Sequence, residues 1–125
     1  MNIPADLKYT NDHEWIRVED GVGTIGVTEH AQGELGDVVY IDIPDAAATV
    51  SKGDTFGTIE AVKTVADLYA PVSGQIVEVN DVNGAPDVVN SDPYGGGWLV
   101  KIRLADTAEL DGLLNADQYK ALIGA

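Results

Sequence analysis

Apolar and polar residues alternate with a period of two along much of the first hundred residues, a pattern typical of short strands with one buried side. Gly, Pro, Asp and Asn residues, which favour turns, separate the segments. The strand candidates are EWIRVE (14–19), VGTIGVT (22–28), DVVYIDIP (37–44), SKGDTFGTIE (51–60), GQIVEVN (74–80) and GWLVKIRL (97–104). In the third, we expect Val39, Ile41 and Ile43 to share one face and Pro44 to end the strand. The pattern predicts a mainly β fold.

Helix signals occur in two other places. Residues 28–36 predict a short helix with Thr28 as its N-cap and Gly36 as its stop. A C-terminal helical segment is predicted over about residues 106–123, where two pairs have the spacing of a capping box. The pairs are Asp106 with Glu109 and Asn115 with Gln118. With the strands, these helices predict a single domain over residues 1–125, a small barrel or sandwich closed by short C-terminal helices.

The segment GTIEAVKTVADLYAPVSG (57–74) fits two structures. Four apolar residues have helical spacing and favour an amphipathic helix that ends before Pro71. They are Ile59, Val62, Ala66 and Tyr69. The density of β-branched residues favours a hairpin instead, over about residues 55–70, with Lys63 near its tip. That tip would lack the Gly or Asn of a tight turn, and such departures from local turn chemistry are typical of functional sites.

Charge narrows the range of partners. The 125 residues include 21 acidic and seven basic side chains, which gives a formal net charge of -14. Such a chain has no basic surface for a phosphate backbone or for anionic lipids, so neither nucleic acid nor a membrane is an expected partner. Partners with basic docking faces are favoured. The N-terminal residues have no secretory signal pattern, so we expect an intracellular protein, or an organellar protein that has lost a transit peptide.

The residues that carry most enzyme chemistry are missing or badly spaced. The chain has no cysteine, and His13 and His30 do not form an H-E-x-x-H motif, so no metal site is predicted. None of the serines lies in a nucleophile elbow. YGGGW (94–98) is rich in glycine but lacks the Lys-Ser/Thr of a phosphate loop, and it precedes a strand, so a bent connection is the better interpretation. We therefore expect a non-catalytic protein.

Lys63 has an unusual position in the sequence. It is the only basic residue between Gly53 and Val100, in a stretch that also contains seven acidic residues. Most single lysines are solvated surface residues. A lysine that an enzyme modifies must instead protrude from a rigid element without competing lysines nearby, and this one satisfies the second condition.

The segment around Lys63, GTIEAVKTVADLYAPVSGQIVEVN (57–80), resembles the lipoyl-lysine segment of the H proteins of the glycine cleavage system. The resemblance extends over nearly the whole chain. Its other blocks are KYTNDHEWIRVEDGVGTIGVTEHAQGELGDVVYIDIP (8–44), VNSDPYGGGWLVKIRLAD (89–106), ELDGLL (109–114) and YKALI (119–123). It implies a barrel-sandwich hybrid of the lipoyl and biotinyl carrier type, with Lys63 at an exposed hairpin tip. Biotin carriers typically have Met on both sides of the lysine, whereas Val62 and Thr64 stand here, so the implied cofactor is covalent lipoate.

The resemblance also implies a function and a set of partners. The lipoyl arm would carry the aminomethyl group of glycine from a pyridoxal-phosphate glycine decarboxylase to a tetrahydrofolate-dependent aminomethyltransferase. A flavin-dependent (FAD) dihydrolipoyl dehydrogenase would then reoxidise the arm, and a lipoate ligase or lipoyltransferase would attach it. Glu60 and Gly74 are the implied ligase-recognition residues. A cleft for the loaded arm would contain Glu14, Asp67, Asp12 and His30. We expect a monomer, because a carrier with sequential partners needs transient docking.

Other functions remain open at this stage. A related H-like protein could donate its lipoyl group to acyltransferase complexes, as a relay. An unmodified binding module would carry Lys63 as an incidental surface residue. A free-standing lipoyl or biotinyl domain fits less well, because such domains are shorter and lack the HEW block (13–15) and the C-terminal helices.

Overall fold

The computed structural model describes residues 2–43 and 48–124, so Pro44, the predicted end of the third strand, lies outside the described residues. Strands account for most of the regular structure in these ranges. They are β1 (Lys8–Tyr9), β2 (Glu14–Glu19), β3 (Val22–Val27), β4 (Val38–Asp42), β5 (Thr49–Val50), β6 (Thr55–Ala61), β7 (Val65–Tyr69), β8 (Gly74–Val79) and β9 (Val100–Leu104). The α-helices are α1 (Glu29–Leu35), α2 (Val88–Ser91) and α3 (Ala116–Ile123), and a 3₁₀ helix spans Thr107–Gly112.

The strands form two antiparallel sheets. One has six strands in the order β1-β2-β3-β9-β8-β5, and the other has three in the order β4-β6-β7. Their inner faces enclose the larger of two apolar clusters. Both sheets contribute isoleucines to it, such as Ile25 and Ile102 from the larger sheet and Ile41 and Ile59 from the smaller. This is the arrangement of a barrel-sandwich hybrid, and the prediction of a mainly β fold with short helices is confirmed.

The smaller sheet resolves the ambiguous segment. Residues 55–69 form the hairpin of β6 and β7, with Ile59 opposite Ala66 and Glu60 opposite Val65. Pairing with β4 on the other side makes β6 a central strand, and its β-branched residues suit that position. The helical alternative for this segment is therefore wrong. Helical spacing of apolar residues arose because both faces of the hairpin carry some apolar side chains.

One predicted face is also wrong. Val39 does not share the core face of Ile41, because an irregularity between Val38 and Tyr40 shifts the register of β4 against β6 by one residue. Val38 is consequently buried, whereas Val39 and Tyr40 are exposed. The shift places two apolar side chains on the outer surface beside the hairpin.

The C-terminal segment closes the larger sheet. The second capping box is confirmed: the Asn115 side chain accepts from the N–H of Gln118, and the Gln118 side chain accepts from that of Asn115. The first is formed only in part: Asp106 is the N-cap of the 3₁₀ helix and its side chain accepts a 2.9 Å hydrogen bond from the N–H of Ala108, but the Glu109 side chain does not return to Asp106. The carboxylate of Glu109 instead accepts hydrogen bonds from the N–H and hydroxyl of Ser73, at 2.7 and 2.9 Å, so it ties the 3₁₀ helix to the chain before β8.

A second apolar cluster holds α3 against β1 and β2. It contains Ile3, Leu7, Tyr9, Trp15, Ala116 and Tyr119. The rings of Tyr9 and Tyr119 stack with their centroids 4.8 Å apart, and both side chains are completely buried. The C-terminal helix is thus packed into the body of the protein, next to the loop that precedes β2.

Candidate functional site at the hairpin tip

Lys63 lies at the tip of the hairpin in a turn with no glycine. The turn consists of Val62, Lys63 and Thr64, and it is closed by a 2.9 Å hydrogen bond from the N–H of Ala61 to the carbonyl of Thr64. The N–H of Val62 donates to the carbonyl of Asp37, also at 2.9 Å, and so fastens the tip to the residue before β4. Backbone bonds on both sides of Lys63 therefore hold the turn in one conformation.

The stem of Lys63 rests on the end of helix α1. Gly36 is the C-cap of this helix, with a φ of 80° that favours glycine. A Cβ atom at Gly36 would lie 3.3 Å from Cγ, Cδ and Cε of Lys63, so glycine leaves room for the lysine stem. Neither of the two ion pairs found among the described residues involves Lys63, and its side chain is exposed. Its amine is accessible to an attaching enzyme.

Helix α2, which the sequence analysis did not predict, supports this platform. Asn90 accepts a hydrogen bond from the N–H of Val38 at 2.9 Å and donates to the carbonyl of Gly36 at 2.8 Å. One side chain thus joins the end of α1 to the start of β4, directly beneath Lys63. A single Asn in a loop-like segment gives no sequence signal for such a role.

Exposed apolar side chains surround the tip. Val62 in the turn and Val65 directly after it are 71% and 59% exposed, and Val39 and Tyr40 of β4 are about half exposed. Tyr40, Glu60 and Val65 are paired across the three strands, so their side chains share the outer face of the smaller sheet. We call Val39, Tyr40, Val62 and Val65 the tip patch. Exposed apolar groups clustered around one functional residue are typical of a docking surface.

A cleft of about 140 Å³ opens between helix α1 and the hairpin. Most of its wall is apolar, and the contributing side chains are Val27, Ala31, Leu35, Ile59, Ala66 and Leu68. The polar residues that line it are Asp12, His13, Glu14, Glu34 and Asp67. The structure therefore brings three of the four predicted cleft residues to one cleft, with Asp12 and Asp67 exposed at its edge and Glu14 buried.

Glu14 is the most unusual group in the cleft. It is only 2% exposed, and its Oε2 accepts a 2.8 Å hydrogen bond from the N–H of Tyr69. Its Oε1 has no partner, the only such buried side-chain oxygen or nitrogen within the described ranges. Burial raises the pKa of Glu14 from 4.5 to about 8, and the charge of Asp12 acts in the same direction, whereas the hydrogen bond from Tyr69 opposes it. At neutral pH this burial favours the neutral carboxyl, and one of its oxygens has no hydrogen-bond partner among the described residues.

This burial predicts a pH-dependent stability. The folded pKa of about 8 lies above the ordinary 4.5, so the folded protein keeps a proton that the unfolded chain releases between those two values. Stability is then fully present below pH 4.5 and is lost as the pH rises to 8, by about 1.4 kcal/mol for each pH unit. Wild type should therefore lose stability relative to Glu14→Gln between about pH 5 and pH 8, as measured by urea unfolding.

The difference in unfolding free energy between wild type and Glu14→Gln reports the titration of Glu14 alone, because the two proteins share all other carboxylates. Glu60→Gln is the matched control, since it makes the same chemical change at an exposed position. A constant difference between wild type and Glu14→Gln would mean that Glu14 is already ionised in the folded protein at pH 5.

His30 lies beside the cleft rather than in its lining. It is half-buried on α1, its Nε2 lies 3.8 Å from the Glu34 carboxylate, and its ring centroid is 4.9 Å from that of His13. His13, which the sequence analysis considered only as a metal ligand, is the histidine that lines the cleft. The sequence did offer one indication that His13 lies at the cleft, since it directly precedes the predicted cleft residue Glu14.

The two predicted ligase-recognition residues lie in different sheets. Glu60 is exposed on β6, one residue before the end of the strand that leads to the tip. Gly74 begins β8 in the larger sheet, where a Cβ atom would lie 2.0 Å from the carbonyl oxygen of Arg103 on β9. This close approach of two strands is by itself a sufficient reason for glycine at position 74.

Comparison with known proteins identifies the family of this chain. The sequence model of the family described as "Glycine cleavage H-protein" matches residues 7–125. The chain belongs to the glycine cleavage H-protein family. The "Glycine cleavage system H protein" of Staphylococcus haemolyticus is 52% identical over 125 residues, with 99% of each chain covered. That of Escherichia coli O7:K1 is 55% identical over 124 residues, covering 98% of this chain and 96% of the relative.

A solved structure of this H-protein family has the same fold. The crystal structure of a glycine cleavage system H protein from Mycobacterium marinum superposes with a TM-score of 0.91 at 42% sequence identity, covering 98% of this chain and 100% of that one. H proteins are lipoyl-bearing carrier subunits. Among the described residues, no helix is long and apolar enough to cross a membrane, and no group of three or more His, Asp or Glu side chains could hold a metal ion.

The residues present fit a lipoyl arm. Its attachment needs an accessible amine, which Lys63 offers at a rigid tip. Its apolar chain and ring need an apolar wall, which the cleft offers within reach of the hairpin. Glu14 lines this cleft, and its unused Oε1 suits a cationic amine, because a buried carboxyl without a partner gains most from a charge-assisted hydrogen bond.

Proposed function

We propose that this protein is the lipoyl carrier of a glycine cleavage system, with lipoate bound as an amide to Nζ of Lys63. It carries the aminomethyl group of glycine from a pyridoxal-phosphate glycine decarboxylase to a tetrahydrofolate-dependent aminomethyltransferase, and a flavin-dependent dihydrolipoyl dehydrogenase reoxidises it. The observation that carries this proposal is the single lysine at the hairpin tip beside an apolar cleft with a buried carboxyl. The protein is non-catalytic, works as a single carrier domain, and acts in the cytoplasm, as its bacterial relatives suggest.

Bound lipoate supplies a disulfide that accepts the group and is reduced, and the protein supplies position and protection. The turn around Lys63 gives an attaching ligase or lipoyltransferase one fixed presentation of the amine. Glu60 faces outward next to the tip, where it offers the attaching enzyme a carboxylate contact. Gly74 contributes to recognition only indirectly, since it fixes the start of β8.

The cleft protects the cargo from water. Its apolar wall excludes solvent around the arm, and Glu14 offers a carboxylate to the protonated amine. A cation beside Oε1 lowers the pKa of Glu14, so the carboxyl ionises when the amine arrives and forms a charge-assisted hydrogen bond. Asp12 and Asp67 attract the amine to the edge of the cleft. His30 contributes only by packing its ring against that of His13, which lines the cleft.

The tip patch provides the docking face for the enzymes that use the arm. Its four apolar side chains lie among carboxylates, including those of Asp37 and Glu60, on a chain with a net charge of -14. A partner that fits has an apolar recess with a basic rim, and its association weakens as salt rises. Brief contacts of this kind suit a monomer that meets several partners in turn.

Digestion with trypsin tests the proposal directly, because the sequence contains no Lys or Arg between Lys52 and Lys101 except Lys63. The purified protein is incubated with lipoate, ATP and a lipoate ligase and is then digested. A lipoylated Lys63 resists cleavage, so we expect one peptide over residues 53–101 with the mass of one lipoyl group added. Unmodified protein gives two peptides instead, over residues 53–63 and 64–101.

The control is a lipoyl domain of an acyltransferase complex, treated with the same ligase in the same tube. If that domain is modified while the peptide over residues 53–101 is always cut at Lys63, the carrier function is overturned. A binding module with an incidental lysine would then be the remaining interpretation.

A further inference from the structure

A buried chain of hydrogen bonds runs from helix α1 to the cleft. The hydroxyl of Tyr119, which is completely buried on α3, lies 2.7 Å from Oγ1 of Thr28 and 2.9 Å from Nδ1 of His13. Thr28 is the N-cap of α1, and its Oγ1 accepts a 3.1 Å hydrogen bond from the N–H of Ala31. The chain thus joins three elements that are far apart in sequence.

The direction of this chain follows from counting its protons. Each hydroxyl has one proton, and the only hydrogen bonds of the Thr28 hydroxyl within the described residues are those with Ala31 and Tyr119. Every proton is used if Thr28 donates to Tyr119 and Tyr119 donates to Nδ1 of His13. In the opposite direction, the proton of the buried Thr28 hydroxyl has no acceptor, which is unfavourable.

This direction fixes the form of His13. A ring whose Nδ1 accepts a hydrogen bond carries its proton on Nε2 when it is neutral. Protonation of Nδ1 would reverse the whole chain. We propose that Tyr119 is a positioning residue that holds His13 neutral, with its proton on Nε2, in the wall of the cleft. This inference rests on the proposed function for its role, though not for its geometry.

The backbone of His13 is held as firmly as its ring. His13 has a φ of 65°, an uncommon conformation outside glycine, and its carbonyl accepts a 3.1 Å hydrogen bond from the N–H of Thr28. Thr28 thus holds the backbone of His13 directly and its side chain through Tyr119. Such over-determination keeps a strained residue in place.

Several titratable groups surround His13 from the neighbouring elements. His30 and Glu34 face it from α1, Asp12 precedes it in its own loop, and Glu14 and Asp67 share the lining of the cleft. Burial lowers the pKa of His13, and His30 lowers it further, whereas Asp12 and Glu34 raise it. Tyr119 contributes no charge, because burial raises its pKa to about 12.

A neutral His13 matters because the expected cargo is a cation. A positive imidazolium in the wall would repel a protonated amine and would compete with it for the carboxylate of Glu14. When His13 is neutral, the only charges that the lining of the cleft can present to the amine are those of carboxylates. Tyr119 would therefore protect the cargo without touching it.

The ¹⁵N chemical shifts of the His13 ring, recorded on the unlipoylated protein across a pH titration, test this inference. In wild type we expect the neutral ring to have its proton on Nε2. In Tyr119→Phe the donor to Nδ1 is lost, so the two neutral tautomers should mix and the pKa of His13 should rise by about 0.7, the equivalent of one ordinary hydrogen bond. A wild-type ring with its proton on Nδ1 overturns the proposal without any variant.

Tyr9→Phe is the matched control. Tyr9 is as buried as Tyr119 and stacks on it. The substitution removes a 2.6 Å hydrogen bond from the Tyr9 hydroxyl to the carbonyl of Pro4, but that hydroxyl does not contact His13. A general loosening of the cluster would move the His13 signals in both variants. The proposal requires that they move in Tyr119→Phe only, and equal changes overturn it.

The second measurement is the hydrolysis rate of the aminomethyl-loaded protein against pH. As the pH falls, protonation of His13 should expel the cation and speed hydrolysis, and in Tyr119→Phe this rise should begin at a pH about 0.7 higher. An unchanged profile with altered ¹⁵N shifts overturns the role of neutral His13 in protection. Failure of the proposed function itself is distinguishable, since the protein would then accept no lipoate while the ¹⁵N experiment would still decide the state of His13.

Discussion

Lys63→Arg should abolish carriage completely. Arginine keeps the positive charge and an aliphatic stem that can lie over Gly36, so the fold and the tip should be unchanged. Its guanidinium has no free amine for the amide bond, and no lipoyl group can be attached. In a reconstituted system of glycine decarboxylase, aminomethyltransferase and dihydrolipoyl dehydrogenase, we expect glycine-dependent NADH formation to fall to the level seen without the carrier.

Lys52→Arg is the control, because Lys52 is also an exposed lysine in a turn, just before β6. That variant should support full activity. If Lys63→Arg were equally active, the protein would act as a binding module and the modification would be incidental. A relay function has its own signature: labelled lipoate would pass from the modified protein to an acyltransferase lipoyl domain in the presence of a lipoyltransferase.

Gly74→Ala should have the largest effect on the fold. A Cβ atom there would lie 2.0 Å from the carbonyl oxygen of Arg103 and 2.8 Å from Cγ2 of Ile102, and neither group is the end of a flexible side chain. Strands β8 and β9 would have to separate at the position where Gly74 pairs with Leu104. We expect a loss of about 4 kcal/mol or more in the free energy of unfolding, a large part of the 5–15 kcal/mol typical of a domain.

Urea unfolding of Gly74→Ala measures this loss, with Gly84→Ala as the control. A Cβ atom at Gly84 meets nothing within 4 Å, so that variant should stay within about 0.5 kcal/mol of wild type. A Gly74→Ala protein with wild-type stability but poor lipoylation would reverse our interpretation. The glycine would then be required by the attaching enzyme rather than by the packing of two strands.

The local patterns predicted those parts of the fold that depend on near neighbours in sequence. Thr28 and Gly36 bound helix α1 as expected, and Asn115 begins α3. The hairpin could not be separated from a helix by periodicity, because its strand character comes from pairing with β4, about twenty residues away. The reversed face of Val39 arises from a register shift that depends on the same pairing.

From the pattern of residues alone, the candidate site was predictable only at Lys63, whereas Asp12, Glu14 and Asp67 were expected in a cleft from the resemblance to H proteins. The isolation of Lys63 among acidic residues is visible in the sequence, whereas the burial of Glu14 requires that both sides of β2 be covered, and alternation normally assigns one side to solvent. The chain from Thr28 through Tyr119 to His13 joins residues up to 106 positions apart. No spacing rule connects them, because the contact exists only after α3 packs beside β1.

If the proposed function is correct, the fastening of the hairpin tip limits how the partner enzymes can share this protein. The bond from Val62 to Asp37 and the packing of Lys63 on Gly36 leave the tip as one small, fixed area. Two enzymes cannot cover that area at once, so occupancy by one excludes the others. An excess of any single partner should then slow the whole cycle, and the order of visits would depend on how strongly each enzyme prefers one chemical state of the arm.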